Sequence, residues 1–575
     1  MVGEPLFMQT SRIRILSGIV FLFALVLTTK LFFVQIVNGK EYSERADHQY
    51  VTQTAHTFDR GTIYFKEKNG NPISAATLKT GFTLAINPKE LTDAEKTFEM
   101  LNGITTIDRD SFFLHANKKN DPYEEIASRV PQDIGGKIAS LGLSGVILSK
   151  EQWRFYPAGT LAAQVLGFIG YDDNNIVTGR YGLERFYNDV LKRESKDLFV
   201  NFFAEVFANV AQTIFHGDEN REGDITLTIE PHVENFLEQE LAKISATWKS
   251  DLTGGLVINP KTGAIYAMGT LPSFNPNTFN TEKKSSVFPN PIVEGVFEMG
   301  SIIKPLTMAA GLDSGAVTPE TTYYDSGSVT LDGATIKNFD GKGRGRVPMQ
   351  EILNQSLNTG SVFVMQQMGK EKFRSYFKAY ELGEETGIDL PNEASGIITN
   401  LDSPRILEYA TAAFGQGIAM TPIETARALA TIGNGGVLIT PHVVDSITSR
   451  IGLSKKIVYN KGKQILKPET SEMITRMLVR VVDEALVGGT AKLPRYSIAA
   501  KTGTAQVAKE NGGGYYEERY LHSFFGYFPA YDPQFLVFLY TVNPKGVKYA
   551  SQTLTVPFMD TAKFLLNYYE IPPDR

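Results

Sequence analysis

Gly300-Ser301-Ile302-Ile303-Lys304-Pro305 stands near the middle of a 575-residue chain, and its spacing decides how the rest is read. A serine hydroxyl is a poor nucleophile at neutral pH unless a base stands beside it. A lysine three positions later on a helix lies on the same face, one turn on, within reach of that hydroxyl. Two fragments further along complete a set: Ser356-Leu357-Asn358 and Lys501-Thr502-Gly503-Thr504. S-x-x-K, S-x-N and K-T-G in that order form a serine acyl-transfer signature.

Each fragment alone is weak, because the chain repeats all of them. S-x-x-K recurs with Ser375 and Lys378, S-x-N with Ser273 and Asn275, and K-T-G with Lys79 and Lys261 as first residues. Order and context separate them. Ser375 follows the S-x-N fragment instead of preceding it, and Ser273 lies upstream of the nucleophile. Lys261-Thr262-Gly263 sits between the apolar runs 256–258 and 264–268 and reads as a hairpin turn. Only Ser301, Ser356 and Lys501 fall in sequence within one domain-sized stretch.

The length predicts two to four domains. With 42% hydrophobic and 21% charged residues the composition is that of a globular protein, and a net charge of −6 without a basic stripe argues against nucleic acid as a partner. The absence of cysteine excludes disulfides, thiol catalysis and thiolate metal sites. The seven histidines are scattered without an H-E-x-x-H, and His522 reads as a structural residue.

Residues 15–37 are nearly continuous apolar sequence, broken by Lys30 and Gln35, and long enough to cross a bilayer. A cleaved signal peptide is the competing reading. No small-x-small site follows, which favours a retained anchor. Residues 41–215 mix short strand and helix patterns, with strands at 51–54 and 82–86, and hold no nucleophile–base pair. The polar run 216–224 reads as a domain boundary. Beyond it come a strand at 225–229, a helix opened by Pro231, the 256–268 hairpin, a mostly helical stretch at 306–435, and strands at 496–500, 522–527 and 535–542. A helix at 561–569 closes the chain. Helices gathered between strands from the two ends of the segment imply an α+β domain with an antiparallel sheet.

With these fragments placed, the chain resembles the class B penicillin-binding proteins, the monofunctional peptidoglycan D,D-transpeptidases. The resemblance spans nearly the whole chain. It rests on the three motifs, on Arg60-Gly61, Arg154-Phe155-Tyr156-Pro157-Ala158-Gly159 and Gly182-Leu183-Glu184, and on Phe414-Gly415-Gln416-Gly417 followed by Thr421-Pro422. Three departures stand out: Met299 where the family usually has proline, Ile302-Ile303 for Thr-Phe or Thr-Val, and Phe65-Lys66-Glu67-Lys68 for a segment with Asp-Arg. The class A relatives carry a glycosyltransferase domain for which the 23 residues between Val37 and Arg60 leave no room. The 259–263 phrasing, the single span and the lack of a C-terminal repeat module resemble the division-specific, septal branch, with the elongation-specific branch as the alternative.

The resemblance implies an α+β architecture in three parts. These are a tail and single transmembrane helix at 1–40, an elongated non-catalytic pedestal of the dimerisation type at 41–215, and a transpeptidase domain at 225–575 whose central antiparallel sheet is flanked by helices. It implies that Ser301 forms the acyl-enzyme on the terminal D-alanyl-D-alanine bond of a stem peptide. Lys304 serves as neutral base with Lys501 as the neighbouring cation. Ser356 relays the proton to the leaving amine, and Asn358 holds the donor amide. Lys501, Thr502 and Thr504 hold the terminal carboxylate, and Gly503 lets substrate backbone approach. The backbone N–H groups of Ser301 and Thr504 form the oxyanion hole. No metal and no cofactor is implied. The implied partners are stem peptides on lipid-linked or nascent glycan, β-lactams as inhibitors, a membrane-embedded SEDS-type glycosyltransferase and division scaffold proteins. The implied location is the bacterial cytoplasmic membrane, single-pass, with the catalytic domain outside. A serine β-lactamase would need a group activating deacylating water, and Glu351 precedes Ser356 and reads as part of a helical turn. A β-lactam or muropeptide receptor would need a substantial cytoplasmic module. The loop 509–519, with Gly512-Gly513-Gly514 and Tyr515, reads as a mobile border of the cleft, with a disordered hairpin tip of no role as the alternative.

Overall fold

The computed structural model describes residues 21, 23, 30, 58–193, 222–460, 462–509 and 512–575. Met1–Phe58 and Asp59–Arg575 are separate units. The span read at 15–37 lies outside the described residues except for Phe21, Phe23 and Lys30, which are helical and exposed; the strand read at 51–54 lies outside them too. No helix among the described residues is long and apolar enough to cross a membrane.

The hairpin read at 256–268 is present. Strands Leu252–Ile258 and Ile265–Leu271 pair antiparallel around the Lys261-Thr262-Gly263 turn, where Gly263 has φ of 84°. Strands Phe535–Val542, Tyr515–Phe528 and Ala499–Ala508 add in that order, each antiparallel to its neighbour, and leave Ala499–Ala508 at one edge of five strands. Alternation of side chains along each strand gives both faces apolar cover. Phe525, Tyr527, Leu536 and Phe538 face the helices Lys304–Asp313, Pro422–Ala430 and Pro468–Arg480. Phe524, Phe528, Val537 and Leu539 face the helices Pro231–Trp248 and Thr555–Tyr568, whose Phe236 and Phe564 rings stack at 4.1 Å. This is an α+β domain with a central antiparallel sheet flanked by helices.

The stretch 306–435 is less helical than its sequence suggests. It contains two nested hairpins, Thr322–Asp325 paired with Gly345–Pro348 and Ser328–Leu331 paired with Ala334–Lys337. Four-residue strands with turns such as Asp332-Gly333 are too short for period-two alternation to register.

A second sheet runs from the pedestal into the chain beyond residue 222. Ile63–Lys66 pairs with Pro72–Ile86 on one side and, in parallel, with Gly223–Leu227 on the other; Gly223–Leu227 then pairs with Val444–Ser449. The strand read at 82–86 is the end of the fifteen-residue strand Pro72–Ile86, which also carries Glu124–Pro131 and Val146–Phe155.

The three pedestal motifs meet in one buried charge cluster. Arg60 Nε donates to Glu184 Oε2 at 2.5 Å, and Arg154 Nε to Glu184 Oε1 at 2.6 Å. Arg60 also donates to the Glu184 carbonyl, Arg154 to the Gly61 carbonyl, and Tyr156 Oη to Glu184 Oε1. Burial works to raise the Glu184 carboxyl, but Arg154 and Arg60 outweigh it and hold it below the ordinary glutamate value. The cluster ties together segments more than 120 residues apart in sequence. Breaking a buried ion pair from one side leaves uncompensated charge, which costs about 3–5 kcal/mol. Glu184→Gln leaves two guanidinium groups facing a neutral amide, so urea unfolding should report a loss of that size; an unchanged midpoint and slope would show that the cluster does not hold the pedestal together.

Candidate active site

Ser301 sits on the tight turn Gly300–Ile303, which leads into the helix Lys304–Asp313. Gly300 has φ of 65°, and a Cβ there would come within 2.7 Å of the Thr504 carbonyl oxygen. The turn therefore lies directly against the edge strand Ala499–Ala508. The Gly300 amide donates to the Gly415 carbonyl at 3.0 Å, which brings Phe414-Gly415-Gln416-Gly417 to the same spot. Pro305 occupies the start of the helix, where its missing N–H would be unsatisfied in any case.

Ser301, Ser356, Asn358, Lys501, Thr502 and Thr504 line one cleft of about 700 Å³. Lys304 lies beneath it, fully buried. Its Nζ donates to the Ser356 carbonyl at 2.6 Å, Asn358 Oδ1 at 2.8 Å and Ser356 Oγ at 3.1 Å. These take all three ammonium donors, so the lysine read as reaching the Ser301 hydroxyl is bonded to the S-x-N fragment instead. Lys501 Nζ approaches from the edge strand and donates to the same Ser356 Oγ at 3.1 Å and to the Thr502 carbonyl at 2.9 Å. Ser356 presents both its carbonyl and its hydroxyl because its backbone is left-handed, with φ of 54°, at a cost of roughly 1–2 kcal/mol.

Burial lowers Lys304, and the neighbouring Lys501 charge adds to it, so its amine is held well below the lysine value of 10.5. Burial alone pulls Lys501 down to about 7. Lys501 is thus poised to lose its proton near neutral pH, and Lys304 below the ordinary lysine range.

Asn358 is held at both ends: Oδ1 accepts from Lys304, and Nδ2 donates to the Lys337 carbonyl at 2.9 Å. One Nδ2 hydrogen stays available to a ligand. Thr504 Oγ1 accepts from the Ala550 amide at 3.1 Å, leaving its own proton to donate into the cleft.

Gly503 serves a different need from the one read in the sequence. A Cβ at this position would meet Ser523 Oγ at 2.4 Å, the Met299 carbonyl oxygen at 2.8 Å and Ile302 Cγ2 at 3.0 Å. Its bare face admits the turn that carries Ser301 rather than an incoming backbone, because strand alternation puts residue 503 on the side opposite Thr502 and Thr504.

The repeated fragments fall elsewhere. Ser375 is exposed on the helix Lys370–Ala379 and donates to the Lys372 carbonyl, Lys79 lies in the pedestal strand Pro72–Ile86, and Lys261 is in the hairpin turn. Glu351 hydrogen-bonds Asn354 and Gln355 within a helical turn, as read. The second half of the border loop, 515–519, is strand: pairing resumes at Tyr515, whose hydroxyl donates to the Glu298 carboxylate at 3.0 Å. His522 is structural, between Thr553 Oγ1 at 2.9 Å and the Lys548 carbonyl at 3.0 Å.

The cleft is also lined by residues outside the three fragments, among them Thr335 to Lys337, Phe339, Thr411, Phe414, Gln416, Ala485 to Val487 and Lys548 to Ser551. Phe414 and Gln416 carried a signal, through their place in Phe414-Gly415-Gln416-Gly417.

The sequence matches the penicillin-binding protein transpeptidase domain over residues 253–562 and the penicillin-binding protein dimerisation domain over 57–198. Stage V sporulation protein D of Bacillus subtilis is 31% identical over 564 residues, covering 96% of this chain and 84% of that protein. Peptidoglycan D,D-transpeptidase FtsI of Escherichia coli is 25% identical over 557 residues, covering 95% and 90%. Among solved structures, penicillin-binding protein 2X of Streptococcus thermophilus superposes with a TM-score of 0.72 at 20% identity, covering 90% of this chain and 81% of that one.

Gly503→Ala forces the Gly300–Ile303 turn away from the edge strand, and overpacking of this kind costs about 1–3 kcal/mol. Adding Ser523→Ala removes the nearest clash and should recover part of that loss in urea unfolding. Parental stability in the single variant would mean that the turn does not depend on the glycine.

Proposed function

The chain belongs to the class B penicillin-binding proteins, the peptidoglycan D,D-transpeptidases, and from that footing we propose how its residues divide the work. Ser301 Oγ attacks the carbonyl between the two terminal D-alanines of a stem peptide, forming a C–O bond as its proton passes to neutral Lys304. A neutral amine has a lone pair and two donors, so it can keep two of its present partners while accepting. The tetrahedral oxyanion lies between the Ser301 and Thr504 backbone amides, each such donor being worth about 2.7–4 kcal/mol. The C–N bond then breaks, and Ser356, bonded to both lysines, relays a proton to the departing D-alanine amine. An acceptor amine from a neighbouring stem reverses the sequence, frees Ser301 and leaves a cross-link. Lys501, Thr502 and the free proton of Thr504 hold the terminal carboxylate, while the spare Nδ2 hydrogen of Asn358 takes the donor carbonyl. The convergence of Lys304 and Lys501 on one hydroxyl carries this reading.

We further propose the septal branch, with a single membrane anchor at 15–37 and the rest of the chain outside the cytoplasmic membrane. The pedestal at 41–215 docks a SEDS-type polymerase and division scaffold proteins, and the domain from 225 to 575 carries the reaction. The relatives named FtsI and the dimerisation-domain match support this. A fluorescent fusion in growing cells should form midcell rings; lateral patches would favour the elongation branch.

Covalent labelling by a fluorescent penicillin, followed by peptide mapping, tests the nucleophile. Ser301→Ala should abolish the label and Ser375→Ala should leave it, whereas an adduct on any other serine would end the assignment. The second-order acylation rate should be bell-shaped in pH, since it reports groups of the free enzyme. It rises as Lys304 loses its proton, below the ordinary lysine range, and falls through about 7 as Lys501 loses the charge that holds the carboxylate. In Lys501→Arg the basic limb should move up, because a guanidinium stays charged there. A limb that stays in place would separate it from Lys501.

A further inference from the structure

The nested hairpins at 322–348 contain a buried carboxylate, Asp325, with no ion-pair partner among the described residues. Its bonds lead to the cleft. Both carboxylate oxygens accept from Asn338 Nδ2, each at 3.0 Å, and the Lys342 carbonyl accepts from it at 3.1 Å. The Gly327 and Arg344 amides and the Thr359 hydroxyl also donate to the carboxylate. This grip fixes which way the Asn338 amide faces. Its Oδ1 points at the start of the helix Asn358–Met368 and accepts from the Thr359 amide at 3.2 Å, with Thr359 Oγ1 3.1 Å away.

That helix begins without a cap of its own. The residue before it is Leu357, whose side chain accepts nothing, and the first amides of a helix have no partner within it. Asn338 supplies the missing acceptor from a distant segment, and the Asp325 carboxylate lies where the positive end of the helix favours negative charge. The residue next to Asn338 grips the residue next to Thr359: the Lys337 carbonyl holds Asn358 Nδ2. Two successive residues of one hairpin thus clamp two successive residues of the helix start. On its other side Asn358 holds Lys304.

We propose that Asp325 and Asn338 are positioning residues for acylation, setting the Asn358 amide and through it the Lys304 amine. The inference rests on the reading of Asn358 as part of the reacting set. Neither residue touches the cleft, so neither acts on substrate directly. A buried carboxylate is costly to desolvate, and here every donor it collects stiffens the link from the outer hairpin to the base. Misplacing a reacting group by about an ångström can cost a hundredfold in rate.

The full-length protein is assayed with a fluorescent penicillin, separating the acylation rate constant from the dissociation constant of the non-covalent complex. Asn338→Ala and Asp325→Asn should each lower the rate constant about ten- to a hundredfold and leave the dissociation constant within about twofold. Asn358→Ala should fall at least as far, and Asn338→Ala added to it should cost nothing further, since coupled residues are not additive. Asn338→Asp sets two carboxylates against each other; combining it with Asp325→Asn restores a donor opposite an acceptor and should recover part of the lost rate without relying on the alanine variant. Full additivity of Asn338→Ala with Asn358→Ala would overturn the proposal, as would a double exchange no faster than Asn338→Asp. Asn358→Ala at the parental rate would instead remove the role of Asn358, and the proposal with it.

Discussion

Lys304 and Lys501 aim buried amines at a single hydroxyl, Ser356 Oγ, each at 3.1 Å. Their nitrogens can then be no more than about 6 Å apart. Two full charges at that separation repel by roughly 3 kcal/mol at an effective dielectric constant of 20. Burial opposes both charges further, so the arrangement favours one amine and one ammonium. The side chains cannot swing away to relieve the conflict. The Ser356 carbonyl and Asn358 hold one, and the Thr502 carbonyl holds the other. One amine and one ammonium are thereby obtained from the same residue type through position alone.

Much of the architecture serves to keep those three groups together. Lys501 comes from the edge of a five-stranded sheet, Lys304 from a helix on one face of it, and Ser356 from a turn between two helices. The contact between sheet edge and the Ser301 turn is so close that Gly300 and Gly503 each lack the side chain that would part them. The pedestal is joined to the same body through a shared sheet, with Gly223–Leu227 pairing on both sides.

Several of these features were legible in the sequence because they depend on residue type at fixed spacing. The order of Ser301, Ser356 and Lys501 separated the fragments that share one cleft from their repeats, apolar runs located the other strands of the central sheet, and Pro231 marked the start of its helix; the edge strand read at 496–500 instead runs from Ala499 to Ala508. The motifs carrying Arg60, Arg154 and Glu184 stood out in the sequence, but that one buried carboxylate holds both guanidinium groups did not. Other parts left no such trace. The cleft walls at 335–339, 481–487 and 548–551 contribute backbone and shape, which many residue types supply equally well. The hairpins at 322–348 have strands too short to show a period. Gly503 was legible as necessary, but which neighbour required it depended on the face of the strand. The exchange at Met299 costs little for a visible reason. Its contribution to the site is a backbone carbonyl accepting from Ser523 at 2.8 Å, and proline has that carbonyl too. Ile302 and Ile303 are wholly buried, so their exchange alters packing beneath Ser301 and not the groups around it.

The left-handed backbone of Ser356 also narrows what heredity can do at this position. Only threonine would preserve an aliphatic hydroxyl in place of serine, and a β-branched side chain is the kind least able to adopt a φ of 54°. Glycine would relax the backbone and asparagine would tolerate it, yet neither brings an aliphatic hydroxyl between the two amines. A lineage under selection by inhibitors of this cleft therefore has no neutral neighbour at residue 356 through which to drift. Variation is channelled into the walls, where side chains change without disturbing the serine between two lysines.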